Sequence, residues 1–224
     1  MAALFLAITA VATDGAYHIA YAAEDEKAPT IDSLQDTKLH SRTEFVNGMA
    51  QMTLAILQDP QKPYGERRVL LRRAFATVVD IDWIARFVLG RAWNMASTEE
   101  QEKYVDLYRA YLTETYVSNF GENQEHRIRD ISIVGIQDAE DTDFLVNTTM
   151  KLANADDVKV AYRVSDHDGK YKIVDIVIEN VSLLTMHRAE LAQLALSQGV
   201  SGVITKLETT VRDYDHAMLK LSMQ

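Results

Sequence analysis

The sequence predicts an α+β fold: a curved antiparallel sheet of about four strands, covered on one face by helices. Three observations carry this expectation. Apolar residues recur at three- and four-residue spacing as far as about residue 120, the period of a helix. Between about residues 128 and 178 they alternate with polar neighbours, the period of a strand buried on one side. From about Leu184 the helical spacing returns. Blocks of helix and strand, rather than repeated strand–helix units, are the pattern of helices packed on an antiparallel sheet. With 224 residues, 47% of them hydrophobic and 25% charged, the chain is long enough to bury a core of its own.

The elements follow in order. Ala2 to Ala12 (AALFLAITAVA) is a short apolar run, and Ala20-Tyr21-Ala22 has the small-x-small form of a signal-peptidase site. Residues 1–22 are therefore expected to be an export signal, although no Lys or Arg precedes the run and Asp14-Gly15 interrupts it. Residues 23–30, charged and broken by Pro29, read as a flexible leader, and residues 31–224 as one domain. Phe45, Met49, Met52, Ile56 and Leu57 mark a first helix, closed by Asp59-Pro60 and Pro63. Glu66 to Val79 is a second, and Ile81 to Leu89 a third with Gly90 as its C-cap. Ser97 or Thr98, followed by Glu100 or Gln101, makes a capping box for a long helix reaching about Phe120.

Ile128 to Ile136 begins the sheet. Phe144, Val146, Thr148, Met150 and Leu152 form one alternating set, and Val158, Val160, Tyr162 and Val164 another. Asp168-Gly169 is a hairpin turn into Lys170 to Ile178. Two further helices, about Leu184 to Ser197 and Val203 to Leu219, are separated by Gly199 and Gly202.

A net charge of -10 argues against a nucleic-acid ligand, since phosphate binding draws on clustered cations, and against lasting adsorption on anionic lipid. With no cysteine, disulfide and thiolate chemistry are excluded. No GxSxG, HExxH, P-loop or GxGxxG signature occurs. Asp138, Glu140, Asp141 and Asp143 suggest a calcium loop only faintly, for the glycine and distal Glu of an EF-hand are missing. The six histidines form no i, i+4 pair, so no metal site and no cofactor are expected. No stretch after the leader reaches the roughly 18 to 20 apolar residues of a membrane span.

The long helix is the unusual element. Tyr104, Leu107, Tyr108, Tyr111, Leu112, Thr115, Tyr116 and Phe120 fall at helical spacing and give one broad aromatic face. Such a face is either core or the wall of a cavity. A buried tyrosine needs a partner for its hydroxyl, which a cavity with wet and apolar zones supplies easily. The apolar strand residues pose the same alternative, and spacing leaves both open.

The run VLGRAWNMASTEEQEKYVDLYRAYLTETY, the hairpin VKVAYRVSDHDGKYKIVDIVIENVSLL and the tail RAELAQLALSQGVSGVITKL together resemble the MlaC, or toluene-tolerance, family of periplasmic phospholipid-binding proteins. The resemblance extends over about Phe75 to Leu207. It rests on the turn at Leu89, Gly90 and Trp93, on Tyr104, Tyr108, Arg109, Tyr111 and Leu112, on Asp175, Glu179, Val181 and Ser182, and on the Arg188 helix ending at Gly199. Asn180 stands where the family usually has glycine, and Phe120-Gly121-Glu122 replaces a more aromatic helix end.

The resemblance implies a lipid pocket between sheet and helices, holding the acyl chains of a glycerophospholipid. It implies a carrier rather than an enzyme, shuttling lipid across the periplasm between an outer-membrane lipoprotein complex and an inner-membrane ABC transporter with an MCE-domain subunit, so maintaining outer-membrane asymmetry. Ligand-binding residues would be Tyr111, Leu112 and Tyr116 on the helix, Val146, Thr148, Val160, Tyr162 and Val164 on the sheet, and Val181 at its edge. Three other readings are open, one of them a pure adaptor without cargo, which a sealed interior with no cavity would favour. A hopanoid-associated branch of the family would carry a rigid polycyclic lipid. An isomerase-like enzyme would use Asp175 as base and Tyr162 or Tyr171 as oxyanion donor.

Overall fold

A computed structural model describes residues 12–13, 16–17, 31, 42–118, 128–139, 142–167 and 170–222. Most of the expected export signal and all of the leader lie outside them, apart from a two-residue antiparallel pair, β1 (Ala12–Thr13) and β2 (Ala16–Tyr17). The chain forms two compact units, one of Met1–Val79 with Glu122–Asn180 and one of Asp80–Gly121 with Val181–Gln224.

The first unit carries the helices α1 (Arg42–Gln58) and α2 (Tyr64–Val78) and an antiparallel meander of β3 (Ile128–Asp138), β4 (Phe144–Leu152), β5 (Val158–His167) and β6 (Lys170–Ile178). The sheet has five strands in the order β3-β4-β5-β6-β7, one more than expected. The fifth, β7 (Val181–Ser182), has two residues, too few to show an alternation in sequence. Asp168 and Gly169 lie outside the described residues, but His167 pairs with Lys170, the register a two-residue hairpin connection requires. Glu179 (φ 47°) and Asn180 (φ 66°) turn the chain after β6. Both occupy the left-handed region that favours Gly and Asn, a conformation Asn180 adopts at lower cost than most other non-glycine residues. Glu179 anchors that turn, accepting a 2.7 Å bond from the Lys159 amide and donating its own amide to the Lys159 carbonyl.

Helix α1 lies on the apolar side of the sheet at one end. Phe45 meets the ring of Tyr171 at 5.6 Å, Tyr171 meets Phe144 edge-on at 5.5 Å, and the Arg42 guanidinium covers the Phe144 ring while pairing with Asp138. Just past α2, Val79 bridges Ile173, and Lys172 donates to the Thr77 carbonyl. Gln58 closes the other end of α1, donating to the carbonyls of Ile128 and Arg129.

The second unit is helical: α3 (Ile81–Leu89), a 3-10 turn (Gly90–Met95), α4 (Thr98–Val117) and α5 (Leu183–Ser222). Asp80 caps α3 through the Trp83 amide, and Gly90 ends it at φ 58° and ψ -127° with its N–H on the Arg86 carbonyl. The capping box is that of Ser97 and Glu100, each side chain bonding the other's backbone N–H. Gln101 turns back instead to the Trp93 carbonyl at 2.8 Å. The two expected C-terminal helices run almost end to end as α5, broken only at Gly199, whose φ 71° and ψ 179° are accessible to glycine alone. Among the described residues no helix is long and apolar enough to cross a membrane.

Candidate functional site

In the first unit, register sorts the sheet into two faces, because residues paired across antiparallel strands point the same way. One face is built of rows: Phe144, Val164 and Ile173; then Ile136, Val146, Tyr162 and Ile176; then Ile133, Thr148, Val160 and Ile178. All five expected sheet residues, Val146, Thr148, Val160, Tyr162 and Val164, belong to it, each no more than 7% exposed. The other face carries Leu145, Arg163 and Asp175 in one row and Asn147, Ala161 and Val177 in the next. Arg163 there pairs with Asp143 at 2.6 Å.

The rows are not equivalent. Val164 sits between Phe144 and Ile173, which α1 and Val79 engage from within the same unit, so its end of the face is closed core. The rows of Val146 and Val160 lie progressively further from that end, toward the half-buried Met150 and Ile178. Ile133, on this face and buried, was hidden in sequence by the bulge between Ile133 and Gly135, which breaks the alternation of β3.

Two polar groups stand on this face. The Thr148 hydroxyl donates 2.8 Å to the Val160 carbonyl, and Tyr162 hydrogen-bonds with Thr148. Burial pushes the Tyr162 phenol well above the ordinary tyrosine range, the bond with Thr148 opposing it in smaller measure. The phenol is therefore neutral at physiological pH. What the face offers is hydrocarbon, with its hydroxyls already satisfied.

The same register counts against the isomerase reading. Asp175 pairs with Arg163, whereas Tyr162 pairs with Ile176 and Tyr171 points with Ile173 toward Phe144. Base and oxyanion donors would thus stand on opposite faces of the sheet. Among the described residues no three His, Asp or Glu side chains gather as metal ligands would.

In the second unit the tyrosine helix divides. Tyr104 and Tyr108 are fully buried: the Tyr104 hydroxyl donates 2.9 Å to the Ala85 carbonyl, and the Tyr108 hydroxyl bonds His187 Nδ1 at 3.0 Å. Their rings lie 5.6 Å apart, and Trp93 packs edge-on against Tyr104. These tyrosines are core of the helical unit, their pKa values raised chiefly by burial. Tyr111, half-buried, stands 5.5 Å from the His187 ring; burial and the nearby Glu190 charge raise its pKa. Leu112 is buried and Tyr116 half-buried. At about 100° per residue, Tyr111 and Tyr116 point about 140° apart around α4, so they do not share one narrow stripe. Val181 is 52% exposed. His187 was missed in sequence: a lone histidine carries no signal that a tyrosine 79 residues earlier will bond it.

Fold and face together define an α+β protein whose antiparallel sheet carries a buried apolar face. The chain belongs to the MlaC protein family, whose profile matches residues 47–209. Among solved structures it is similar to a phospholipid-binding protein from Ralstonia solanacearum, determined in complex with a phospholipid, at a TM-score of 0.65 and 22% identity over 81% of this chain and 98% of that one. No functionally curated protein matches the chain.

Proposed function

We propose that the protein binds a glycerophospholipid and carries it through the periplasm, between an outer-membrane lipoprotein complex and an inner-membrane ABC transporter with an MCE-domain subunit. The observation that carries the reading is an apolar sheet face with satisfied hydroxyls in a chain of the MlaC family. The bound phospholipid in the Ralstonia protein of like fold supports it. Acyl chains lie against the sheet at Val146, Thr148, Val160 and Tyr162, with Val164 toward the closed end. Tyr111, Leu112, Tyr116 and Val181 are assigned to the lipid on the family resemblance.

Each methylene taken from water contributes about 0.8 kcal/mol, so two long chains hold without covalent chemistry. The neutral Tyr162 phenol adds no charge for hydrocarbon to meet. Loading and release then depend on the complexes at either membrane offering a competing apolar path. The residues Ala2 to Ala22 support export.

The test is mass spectrometry of an organic extract of gently purified, folded protein. A phospholipid stoichiometric with the chain is expected. A polycyclic lipid in its place would transfer the protein to the hopanoid branch, and repeated extraction without stoichiometric lipid would reject the carrier reading.

A further inference from the structure

The helical unit contains a group of cations that the lipid reading does not use. Arg109 pairs with Asp82 and Asp106, Lys103 with Glu208, and Lys206 with Glu190. Around the turn at Leu89 and Gly90 the pattern reverses. Arg86, Arg91 and Arg188 have no carboxylate partner among the described residues, and neither does Arg212 further along α5.

Two of the three arginines lie on aromatic rings. Arg188 lies 4.3 Å over Phe87, which stacks on Trp83 at 5.1 Å, and Arg86 lies 5.4 Å over Trp93. The Arg188 guanidinium stands 3.7 Å from where a Cβ on Gly90 would be, which brings it beside Arg91 in the chain. Trp83 is 39% exposed, and Met95, ending the same turn, is 84% exposed.

We propose that this surface docks a partner protein that presents carboxylates. Trp, Phe, Met and Arg are the residues enriched at the centres of protein interfaces, where Lys is depleted, and all three cations here are arginine. A ring beneath a guanidinium holds it flat, so its planar donor edge stays free for bidentate pairing with a carboxylate. The charge argument separates protein from bilayer. A chain of net charge -10 is repelled by an anionic membrane as a whole, whereas a local acidic patch on a protein addresses the arginines alone. The proposal uses no residue assigned to the lipid, so it stands or falls apart from the carrier reading.

The test is photo-crosslinking in the native cell with benzoylphenylalanine at Met95, and at the exposed Val69 of the other unit as control. A protein cross-link is expected at position 95 and not at 69. Arg86→Glu and Arg91→Glu, made singly so that Arg91, which lies on no ring among the described residues, checks Arg86, should each lower its yield at least tenfold with circular dichroism and lipid content unchanged. Replacing acidic residues by Lys in the cross-linked stretch of the partner should restore the yield with the Glu variants. Four results would overturn the proposal: no protein cross-link at 95, cross-linking to lipid or to a second copy of this chain alone, a yield indifferent to both substitutions, or no rescue by charge exchange.

Discussion

The tyrosine stripe of α4 and the valine face of the sheet are similar as sequence, each a run of large residues at the period of its element, yet they treat polar atoms differently. On α4, the hydroxyls of Tyr104 and Tyr108 reach outside the helix, to Ala85 and His187. On the sheet, Thr148 and Tyr162 bond each other, and Thr148 the Val160 carbonyl across one strand pair. The first arrangement ties three helical segments together, so each bond lost weakens the joint between two of them. The second closes its polar account locally and leaves hydrocarbon, which can change its neighbours without orphaning a donor. Burial does not tell the two arrangements apart, since Tyr104, Tyr108, Thr148 and Tyr162 are all buried.

The largest expected effects lie in the helical unit. Tyr104→Ala removes a buried ring and the bond to Ala85, and large-to-small changes of this kind cost about 3–5 kcal/mol. A loss of that size is a large fraction of a domain's stability, so thermal melting should show collapse or a steep fall in Tm. Val160→Glu on the sheet should differ in kind. If the face receives acyl chains, water reaches the new carboxylate once lipid is absent, and the protein stays folded but carries none. Circular dichroism beside lipid content reads the contrast; an unfolded Val160→Glu variant would make the valine face core as well.

Alkaline titration applies to both regions. Burial raises the folded-state pKa values of Tyr104, Tyr108 and Tyr162 above the ordinary 10.0. The unfolded chain therefore gives up these protons first, and the stability they contribute is full below about pH 10 and declines above it. Tyrosinate absorbance from these buried phenols should rise only together with the loss of helical circular dichroism. Titration of every tyrosine in a folded protein would contradict the burial. A smaller effect is expected from Tyr108→Phe, which keeps the ring but leaves His187 Nδ1 without this bond: about 1–3 kcal/mol, measured by denaturant unfolding, with lipid content unchanged.

Much of the fold was legible because it is local. Helix α3 runs from Ile81 to Leu89 and β6 from Lys170 to Ile178 as their spacing, caps and turns prescribe, and Gly90 and Gly199 mark breaks only glycine makes easily. The sheet face that carries the candidate residues was legible where register follows from alternation, as at Val146, Thr148, Val160 and Tyr162. Failures came where a partner is remote or the pattern interrupted. His187 is invisible until α5 meets α4, the bulge in β3 hides Ile133, and the role of Tyr104 depends on a carbonyl of α3. Arg188 reads as one more surface charge until its ring and its lack of a carboxylate are seen together.

The smallest expected effect is at Val181, where resemblance and exposure point in different directions. The residue follows the Glu179–Asn180 turn and is 52% exposed, so Val181→Glu places its carboxylate largely in water. Substitutions at such positions usually change stability by no more than about 0.5 kcal/mol, and Tm should be nearly that of the wild type. If the side chain also touches an acyl chain, loading should fall, but less than with Val160→Glu, because an exposed valine covers only part of a methylene's surface. The pair therefore grades the lipid contact: quantitative extraction should give the order wild type, then Val181→Glu, then Val160→Glu. Loading equal to wild type in Val181→Glu removes that residue from the site and confines the lipid face to the buried rows, while loss as complete as in Val160→Glu would mean that the exposed edge, rather than the middle of the sheet, controls entry.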